Sequence, residues 1–133
     1  MKNADITVLE AAAEIVAAFG SHNKDKYFSC FSPAATFIFY SSNRPFYSRR
    51  EYEDEWESWQ KGGFRVHGCC SSGAKVTLHA DSQIAIFTHS VRTESSTSGE
   101  RMTIGERETI VFEKNGERWL AIHEHLSLDP NFT

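Results

Sequence analysis

The sequence predicts an α+β fold with helices packed on one face of a curved antiparallel sheet. Apolar residues recur at helical spacing in the first half of the chain, whereas long segments rich in β-branched and aromatic residues alternate in polarity in the second half. The last two of these segments are joined at Asn115-Gly116, a turn sequence typical of β-hairpins. Helices followed by a run of strands indicate an α+β arrangement.

Two helices are predicted before the first strand. Thr7 and Glu10 have the spacing of a capping box, apolar residues follow at helical spacing, and Gly20 offers the end of this helix. Asn23 can cap a second, short helix that runs through Phe31 and is closed by a Ser-Pro pair. Aromatic side chains cover too much of its circumference for a solvated helix, so we expect it to be packed on several sides.

A third helix is predicted after the first strand. Ser48 and Glu51 form another capping box, and the helix runs to about Gln60, before two glycines. Its aromatic side chains share one stripe, which consists of Tyr52, Trp56 and Trp59. We expect this stripe to lie across the open side of the sheet with Trp56 pointing inward, either as core or as a platform for an aromatic ligand.

The strands are predicted from apolar runs and from alternation. Residues 34–40 form a continuous apolar run, so we expect a strand that is buried on both faces. Residues 64–79 are interrupted at residues 71–73, which indicates a bulge or a bend. The other predicted strands are residues 83–93, which a loose connection follows, and the two arms of the last hairpin, residues 101–113 and 117–127.

The turn of the last hairpin allows two registers, and the register decides which charges meet. If Asn-Gly alone forms the loop, Arg107 lies opposite Glu124 in a ladder of complementary pairs. If Lys114 also belongs to the loop, Glu106 lies opposite Glu124 and Glu108 lies diagonal to it, so that three carboxylates share one face. Cross-strand electrostatics favours the first register, because opposite charges stabilise and like charges destabilise such pairs.

Charge and composition exclude several classes of partner. The formal net charge of −4 leaves no basic stripe for phosphates, so we expect neither nucleic acid nor anionic membrane as a partner. No apolar run approaches the roughly 20 residues that a membrane span needs, and no signal sequence is recognisable at the amino terminus. A cytoplasmic protein with reduced cysteines is the expectation.

No cofactor is predicted, because the chain has no Gly-rich phosphate loop, nucleophile elbow or paired-cysteine metal motif. His123 and His125 share one side of a strand, as in some metal sites, but no third ligand accompanies them. We expect them to be bonded to the backbone or to Arg107 instead of to a metal. We expect His67 and His89 to lie on strands with their ring nitrogens hydrogen-bonded within the protein; the alternative is that one of them is a general base.

A family resemblance is carried by the order of the elements and by the motif Arg107-x-Thr109-x-Val111-Phe112, Asn115-Gly116, Trp119 and His123-Glu-His125-Leu-Ser127. Both resemble the SnoaL-like branch of the nuclear transport factor 2-like superfamily over nearly the whole chain, so we expect a single domain over residues 1–133. The resemblance implies a cone-shaped fold, in which helices pack on the concave face of a strongly curved, mainly antiparallel sheet and enclose a deep apolar pocket. It also implies homodimerisation through the convex face.

The functional residues of known relatives match this chain only in part. By the shared strands, the oxyanion-hole acid of the steroid isomerases falls on Glu108, but their general-base aspartate falls near Phe39 and their phenol donor near Ile15. The pocket arginines of the calmodulin-dependent kinase association domains fall on Ile110 and Leu126. The resemblance therefore implies neither a steroid-isomerase mechanism nor that anionic-ligand site.

The candidate site follows from the relatives. In them, the positions that correspond to even-numbered residues of both hairpin arms of this chain face the pocket. This corresponds to the bulged register, which we therefore follow. The candidate catalytic residues are Glu108 and Glu124, and at least one of their pKa values should be raised because burial and like charge both oppose ionisation. The expected pocket residues are Phe39, Trp56, Trp59, Glu106, Ile110, Ile122 and Leu126.

Two functions fit these residues. The acidic pocket face favours an acid–base isomerase, cyclase or hydratase that acts on a small apolar or aromatic molecule of unknown identity. The missing isomerase base favours a ligand-binding or association module without catalysis, so sequence leaves open whether the protein is an enzyme. A homodimer is expected in either case, because the predicted convex face is too apolar to be left wet: Val111, Trp119, Ala121, His123 and Ser127.

Overall fold

The structure is a computed structural model that describes residues 3–132, and it confirms the predicted α+β architecture. The helices of this part of the chain are α1 (Ala4–Gly20), α2 (Lys24–Ser29) and α3 (Arg49–Lys61). The strands are β1 (Phe31–Phe39), β2 (Arg65–His79), β3 (Ile84–Thr97), β4 (Glu100–Asn115) and β5 (Arg118–Leu128). They form one curved, open sheet in the order β1-β5-β4-β3-β2, which is antiparallel except for the parallel pair β1 and β5.

The first helix begins earlier than predicted. The Asn3 side chain accepts a hydrogen bond from the Ile6 N–H at 3.0 Å and is therefore the N-cap. Thr7, which was expected to cap the helix, lies inside it, and its hydroxyl donates to the Ala4 carbonyl at 2.9 Å. The same hydroxyl accepts from the Trp119 indole N–H at 2.9 Å, so Thr7 joins α1 to the sheet instead of starting the helix.

The other two helix caps are confirmed. Asn23 accepts from the Lys26 N–H and Ser48 accepts from the Glu51 N–H, each at 3.2 Å. The predicted end of α2 at Phe31 is wrong, because Phe31 is the first residue of β1 and its side chain is fully buried.

Strand β1 is buried on one face only, which corrects the expectation of two buried faces. Phe37 and Phe39 point into the core, whereas Ile38 between them is 41% exposed. Tyr52 of α3 packs on the rings of Phe37 and Phe39, so the apolar run of β1 reflects one face covered by the helices and one open face.

The middle strands are longer than predicted. The interruption at residues 71–73 is confirmed as an irregularity in the pairing of β2 with β3, between Ser72 and Lys75. The expected loose connection after residue 93 is instead strand up to Thr97. Ser96 pairs with Arg65 on one side and with Arg101 on the other, so hydrogen bonds from both neighbours hold this polar segment in the sheet.

The last hairpin adopts neither predicted register. Asn115 pairs with Arg118, so Gly116 and Glu117 form the loop, and Gly116 has a φ of 66° that glycine adopts without strain. The turn is therefore displaced by one residue from the predicted Asn-Gly loop.

A bulge in β5 changes the register a second time. Phe112 pairs with Ala121, but the preceding residue Val111 pairs with His123, which leaves Ile122 as the extra residue. Such a bulge reverses the alternation of side chains along a strand. Trp119 therefore faces the core although it is odd-numbered, and the predicted place of Trp119 and Ala121 on the convex face is wrong because both are buried.

The aromatic stripe of α3 faces the sheet, as predicted. Trp56 is 0% exposed, and its indole N–H donates to the Gln60 side chain at 3.0 Å. The ring lies 5.4–6.3 Å, between centroids, from the rings of Phe19, Tyr27, Phe28, Tyr52 and Phe64. Trp56 thus joins all three helices in one aromatic cluster.

The chain after β5 folds back over β4. The Asp129 N–H donates to the Gly105 carbonyl at 3.0 Å, and the Phe132 ring packs on Gly105 so closely that a Cβ atom there would overlap it. The Arg92 guanidinium lies over the same ring, 4.9 Å from its centroid. Gly105 therefore provides the space into which Phe132 fits.

Gly105→Ala is expected to lower the free energy of unfolding by about 1–3 kcal/mol, because the added methyl group overpacks the Phe132 contact. Gly68→Ala is the control, since a Cβ at that position in β2 meets no heavy atom within 4 Å. Urea melts of both variants give the comparison. The double variant Gly105→Ala/Phe132→Ala should lose less than the sum of the two single losses, and strict additivity would contradict the proposed overlap.

Candidate functional site

A cavity of about 520 Å³ lies between the helices and the concave face of the sheet. Its wall is mainly apolar, and no Lys, Arg or His side chain of residues 3–132 lines it. Aromatic rings form much of the wall: Phe19, Tyr27, Phe39, Tyr52, Trp59 and Phe64. Its volume lies within the range of about 300–1,000 Å³ that is usual for small-molecule sites.

The structure brings most of the predicted site residues to this cavity. Those that line it are Phe39, Trp59, Glu106, Glu108, Glu124 and Leu126. Trp56 and Ile110 were expected on the wall but are fully buried in the core and do not line the cavity. Ile122 does not line the cavity either, because it is the extra residue of the β5 bulge.

Glu108 and Glu124 form a buried pair at the inner end of the cavity. Glu108 pairs with Leu126 and Glu124 pairs with Ile110, so the two carboxyl groups are diagonal neighbours on β4 and β5. Glu108 is 8% exposed and Glu124 is 2% exposed, and their carboxyl groups are hydrogen-bonded to each other. Burial raises the pKa of both, and the neighbouring Glu108 charge raises the pKa of Glu124 further, well above its usual range.

His89 supports Glu108 from the neighbouring strand. The two residues are directly paired between β3 and β4, and His89 Nε2 lies 2.6 Å from Glu108 Oε1. On the other side of the ring, Nδ1 lies 2.6 Å from Ser71 Oγ of β2. Burial lowers the pKa of His89 to about 4, so the imidazole is neutral at neutral pH.

Two tyrosines support Glu124 from the helices. The Tyr27 hydroxyl of α2 donates to Glu124 Oε1 at 3.1 Å, and the Tyr52 hydroxyl of α3 lies 3.0 Å from that of Tyr27. Burial, with a contribution from the Glu124 charge, raises the pKa of both tyrosines, so their hydroxyls keep their protons. Helices and sheet thus contribute to one hydrogen-bonded network.

A third carboxyl group, that of Glu106, lies nearer the mouth of the cavity. The Tyr40 hydroxyl donates to Glu106 Oε2 at 2.6 Å, and burial raises the pKa of Glu106. The Cys69 thiol lines the same cavity and lies 3.6 Å from the Thr93 hydroxyl. Burial raises the pKa of Cys69 to about 12, so this thiol stays protonated and is a poor nucleophile.

Sequence reasoning missed the residues that hold the pair in place: Tyr27, Tyr52, Ser71 and His89. The two tyrosines were recognised only as packed aromatic residues, and His89 was expected to be satisfied within the sheet. The alternation of β3 could have indicated that His89 is buried, because Phe87, His89 and Val91 lie on the same buried face of the strand. His67 is a satisfied strand histidine, since its Nε2 lies 2.7 Å from Ser96 Oγ.

The remaining histidines lie away from the cavity. His123 Nδ1 contacts the Thr36 hydroxyl at 2.7 Å, whereas His125 and Arg107 are exposed. Within residues 3–132 no group of three or more His, Cys, Asp or Glu side chains is placed to hold a metal ion. Over the same residues no helix has the length and apolar character needed to cross a membrane.

Comparison with known proteins identifies a family and several similar folds. A family model described as the SnoaL-like domain matches residues 8–130, whereas no curated protein matches the chain. The chain is similar to the CamKII hub homology domain of Chlamydomonas reinhardtii, with 20% identity, 96% of this chain and 99% of that chain covered, and a TM-score of 0.74.

Two bacterial NTF2-like proteins have the same fold. A protein of unknown function from Prochlorococcus marinus is 18% identical, covers 99% of this chain and 97% of its own, and has a TM-score of 0.77. A protein from Cytophaga hutchinsonii is 11% identical, with 97% and 100% covered and a TM-score of 0.77. At these identities the likeness is one of fold.

Proposed function

Because the chain belongs to the SnoaL-like domain family, we propose that its cavity binds a small, largely apolar molecule and that Glu108 and Glu124 carry out acid–base chemistry on it. One observation supports this most directly: two hydrogen-bonded carboxyl groups with raised pKa values lie on the wall of an apolar cavity. A pair that holds one proton near neutral pH can both accept and donate a proton.

The two carboxyl groups have different roles in this proposal. Glu108 receives the short contact from His89 and is the charged member, so it acts as the base. Glu124 is more deeply buried and holds the proton, so it acts as the acid. An isomerase, a cyclase and a hydratase each move a proton between two positions of a ligand, and the apolar wall keeps bulk water away from that step. The ligand is a small apolar or aromatic molecule.

Carbon-13 NMR titration of the side-chain carboxyl groups tests the acid–base proposal. At least one step of the pair should occur well above the ordinary glutamate pKa of about 4.3, and the variants Glu108→Gln and Glu124→Gln assign the signals. If both groups titrate as ordinary glutamates, the acid–base proposal is wrong.

A binding or association module without catalysis is the second candidate. It is favoured by the similarity of fold to a protein named as a hub homology domain. In that case the cavity binds a ligand or is merely structural, and the carboxyl pair stabilises one arrangement of the helices on the sheet. Ordinary titration of both groups would leave only this second candidate, whereas raised pKa values are required by the acid–base function and would also occur in a buried structural pair.

We also propose that the whole chain is one domain. The family match begins at residue 8 and ends at residue 130, and all helices and strands of the described part contribute to one sheet and its covering layer. Residues 1, 2 and 133 of the expected domain lie outside the described residues.

The protein is expected to form a dimer through the convex face of the sheet. Ile38 is exposed there, and Val111 and His123 are only half-buried in the single chain. Sedimentation at micromolar concentration should give the mass of two chains, and Val111→Glu should reduce it to one. Tyr47→Glu, in the loop before α3, is the control that leaves the mass unchanged. A wild-type mass of one chain would exclude the dimer.

A further inference from the structure

The hydrogen bonds at the inner end of the cavity have a definite direction, which follows from the number of protons available. A phenol has one proton. The Tyr27 hydroxyl donates its proton to Glu124 Oε1, so the contact of 3.0 Å between the two tyrosines must be a donation from Tyr52 to Tyr27. Neither hydroxyl then retains a proton for a ligand.

The contacts on the other side of the pair also point toward it. The buried imidazole of His89 is neutral and carries one N–H. A carboxylate can only accept, so the proton of His89 lies on Nε2 and points to Glu108, while Nδ1 accepts from the Ser71 hydroxyl. One ring nitrogen of His89 thus donates a hydrogen bond and the other accepts one.

The shared proton of the carboxyl pair completes the chain. Glu108 receives the stronger support, since its contact with His89 is 2.6 Å, whereas the contact of Glu124 with Tyr27 is 3.1 Å. The negative charge is therefore on Glu108, and Glu124 donates its proton to Glu108. Hydrogen bonds converge on Glu108 from both directions, through Tyr52, Tyr27 and Glu124 on one side and through Ser71 and His89 on the other.

We infer that the inner end of the cavity takes a hydrogen-bond donor, a hydroxyl or amine group of the ligand, and that Glu108 accepts from it. The inference rests on the proposed function, because it assumes that the cavity binds a ligand. Every polar proton of the network is already donated within the protein, whereas a carboxylate has about four acceptor positions and Glu108 uses two of them. A ligand carbonyl would find no free donor in this network, and Glu106 accepts from Tyr40. The Thr93 hydroxyl and the Cys69 thiol of the wall contact each other and lie outside the network.

His89 is a positioning residue in this arrangement. Its ring does not line the cavity, and it acts through Glu108 by holding the charge on that carboxyl group. The ring nitrogen signals of His89 in nitrogen-15 NMR should show the proton on Nε2. A proton on Nδ1 would reverse the direction of the chain, make Glu108 the donor and overturn the inference.

The binding experiment uses probes that differ in one group only. Naphthol, methoxynaphthalene substituted at the same carbon, and tetralone are titrated into the wild-type protein by calorimetry at neutral pH. Naphthol should bind about tenfold more tightly than methoxynaphthalene or more, the usual effect of a hydrogen bond to a charged acceptor. In Glu108→Gln the preference should disappear, because the amide also offers a donor to the ether and to the ketone.

The outcomes separate this inference from the proposal on which it rests. If tetralone or methoxynaphthalene binds wild-type protein as tightly as naphthol, the inference is wrong and the binding cavity stands. If none of the probes binds, both the inference and the binding function are wrong. The comparison within wild-type protein and the His89 signals decide the matter even if Glu108→Gln does not fold.

Discussion

Trp56→Ala is expected to lower the free energy of unfolding by about 3–5 kcal/mol, the usual loss when a fully buried tryptophan is truncated. The ring contacts aromatic side chains of all three helices, so the surrounding residues belong to several elements and cannot readily close the cavity that its loss would leave. Its N–H also satisfies the Gln60 side chain, which would lose a partner. Urea denaturation followed by circular dichroism measures the change.

Tyr47→Ala is the matched control for this experiment. Tyr47 is also aromatic and lies just before α3, but it is 69% exposed. Its loss should change the free energy of unfolding by no more than about 0.5 kcal/mol. If Trp56→Ala loses under about 1 kcal/mol, the ring does not hold the helices to the sheet and the architecture described for α3 is wrong.

Glu124→Gln is expected to leave stability nearly unchanged at acidic pH and to increase it, relative to wild type, as pH rises. The pKa of Glu124 is raised in the folded protein, so its contribution is fully present below the unfolded value near 4.5 and is lost as pH rises through the folded pKa. The amide imitates the protonated acid, because it can accept from Tyr27 and donate to Glu108 without ionising. The difference should grow by up to about 1.4 kcal/mol per pH unit.

The two proteins are compared at each pH, because His89 contributes a pH dependence of the opposite sign to both. Its pKa is lowered to about 4, so its contribution to stability is lost as pH falls through that region in both proteins. Glu113→Gln, at an exposed position on β4, is the control and should change the free energy of unfolding by no more than about 0.5 kcal/mol. A loss of stability in Glu124→Gln at every pH would contradict the shared proton and support an ion-paired Glu124.

The fold was predictable because its signals are local. The caps at Asn23 and Ser48 and the aromatic stripe of α3 each lie within a few residues of the structure they specify. The errors at Thr7 and Phe31 concern the ends of helices. The start of α1 is set by the competing cap Asn3, and the end of α2 by the pairing of Phe31 with a distant strand. The β1 strand illustrates the same limit, because Ile38 is exposed as a result of helices packing on the opposite face of the sheet, which its apolar neighbours in the sequence do not indicate.

The candidate site was predictable only in part, because it depends on pairing between distant residues. Glu108 and Glu124 were found through a family resemblance and through the even-numbered face of β4, although both predicted registers of the hairpin were wrong. The contact between His89 and Glu108 requires the register of β3 with β4, and the contact between Tyr27 and Glu124 joins residues 97 positions apart. Neither contact can be predicted from the spacing of residues in a single sequence.

The bulge at Ile122 also affects how distant relatives can be recognised. Trp119 and Glu124 are an odd number of residues apart, so only the extra residue allows both side chains to face the core; deleting Ile122 would make the spacing even and leave Glu124 opposite Ile110 on the cavity side. Substituting Ile122 would keep the number of residues in β5 and would therefore leave the bulge in place. A relative that is one residue shorter between Trp119 and Glu124 and lacks the bulge can therefore carry the same site, so the length of this stretch and the bulge have to be considered together.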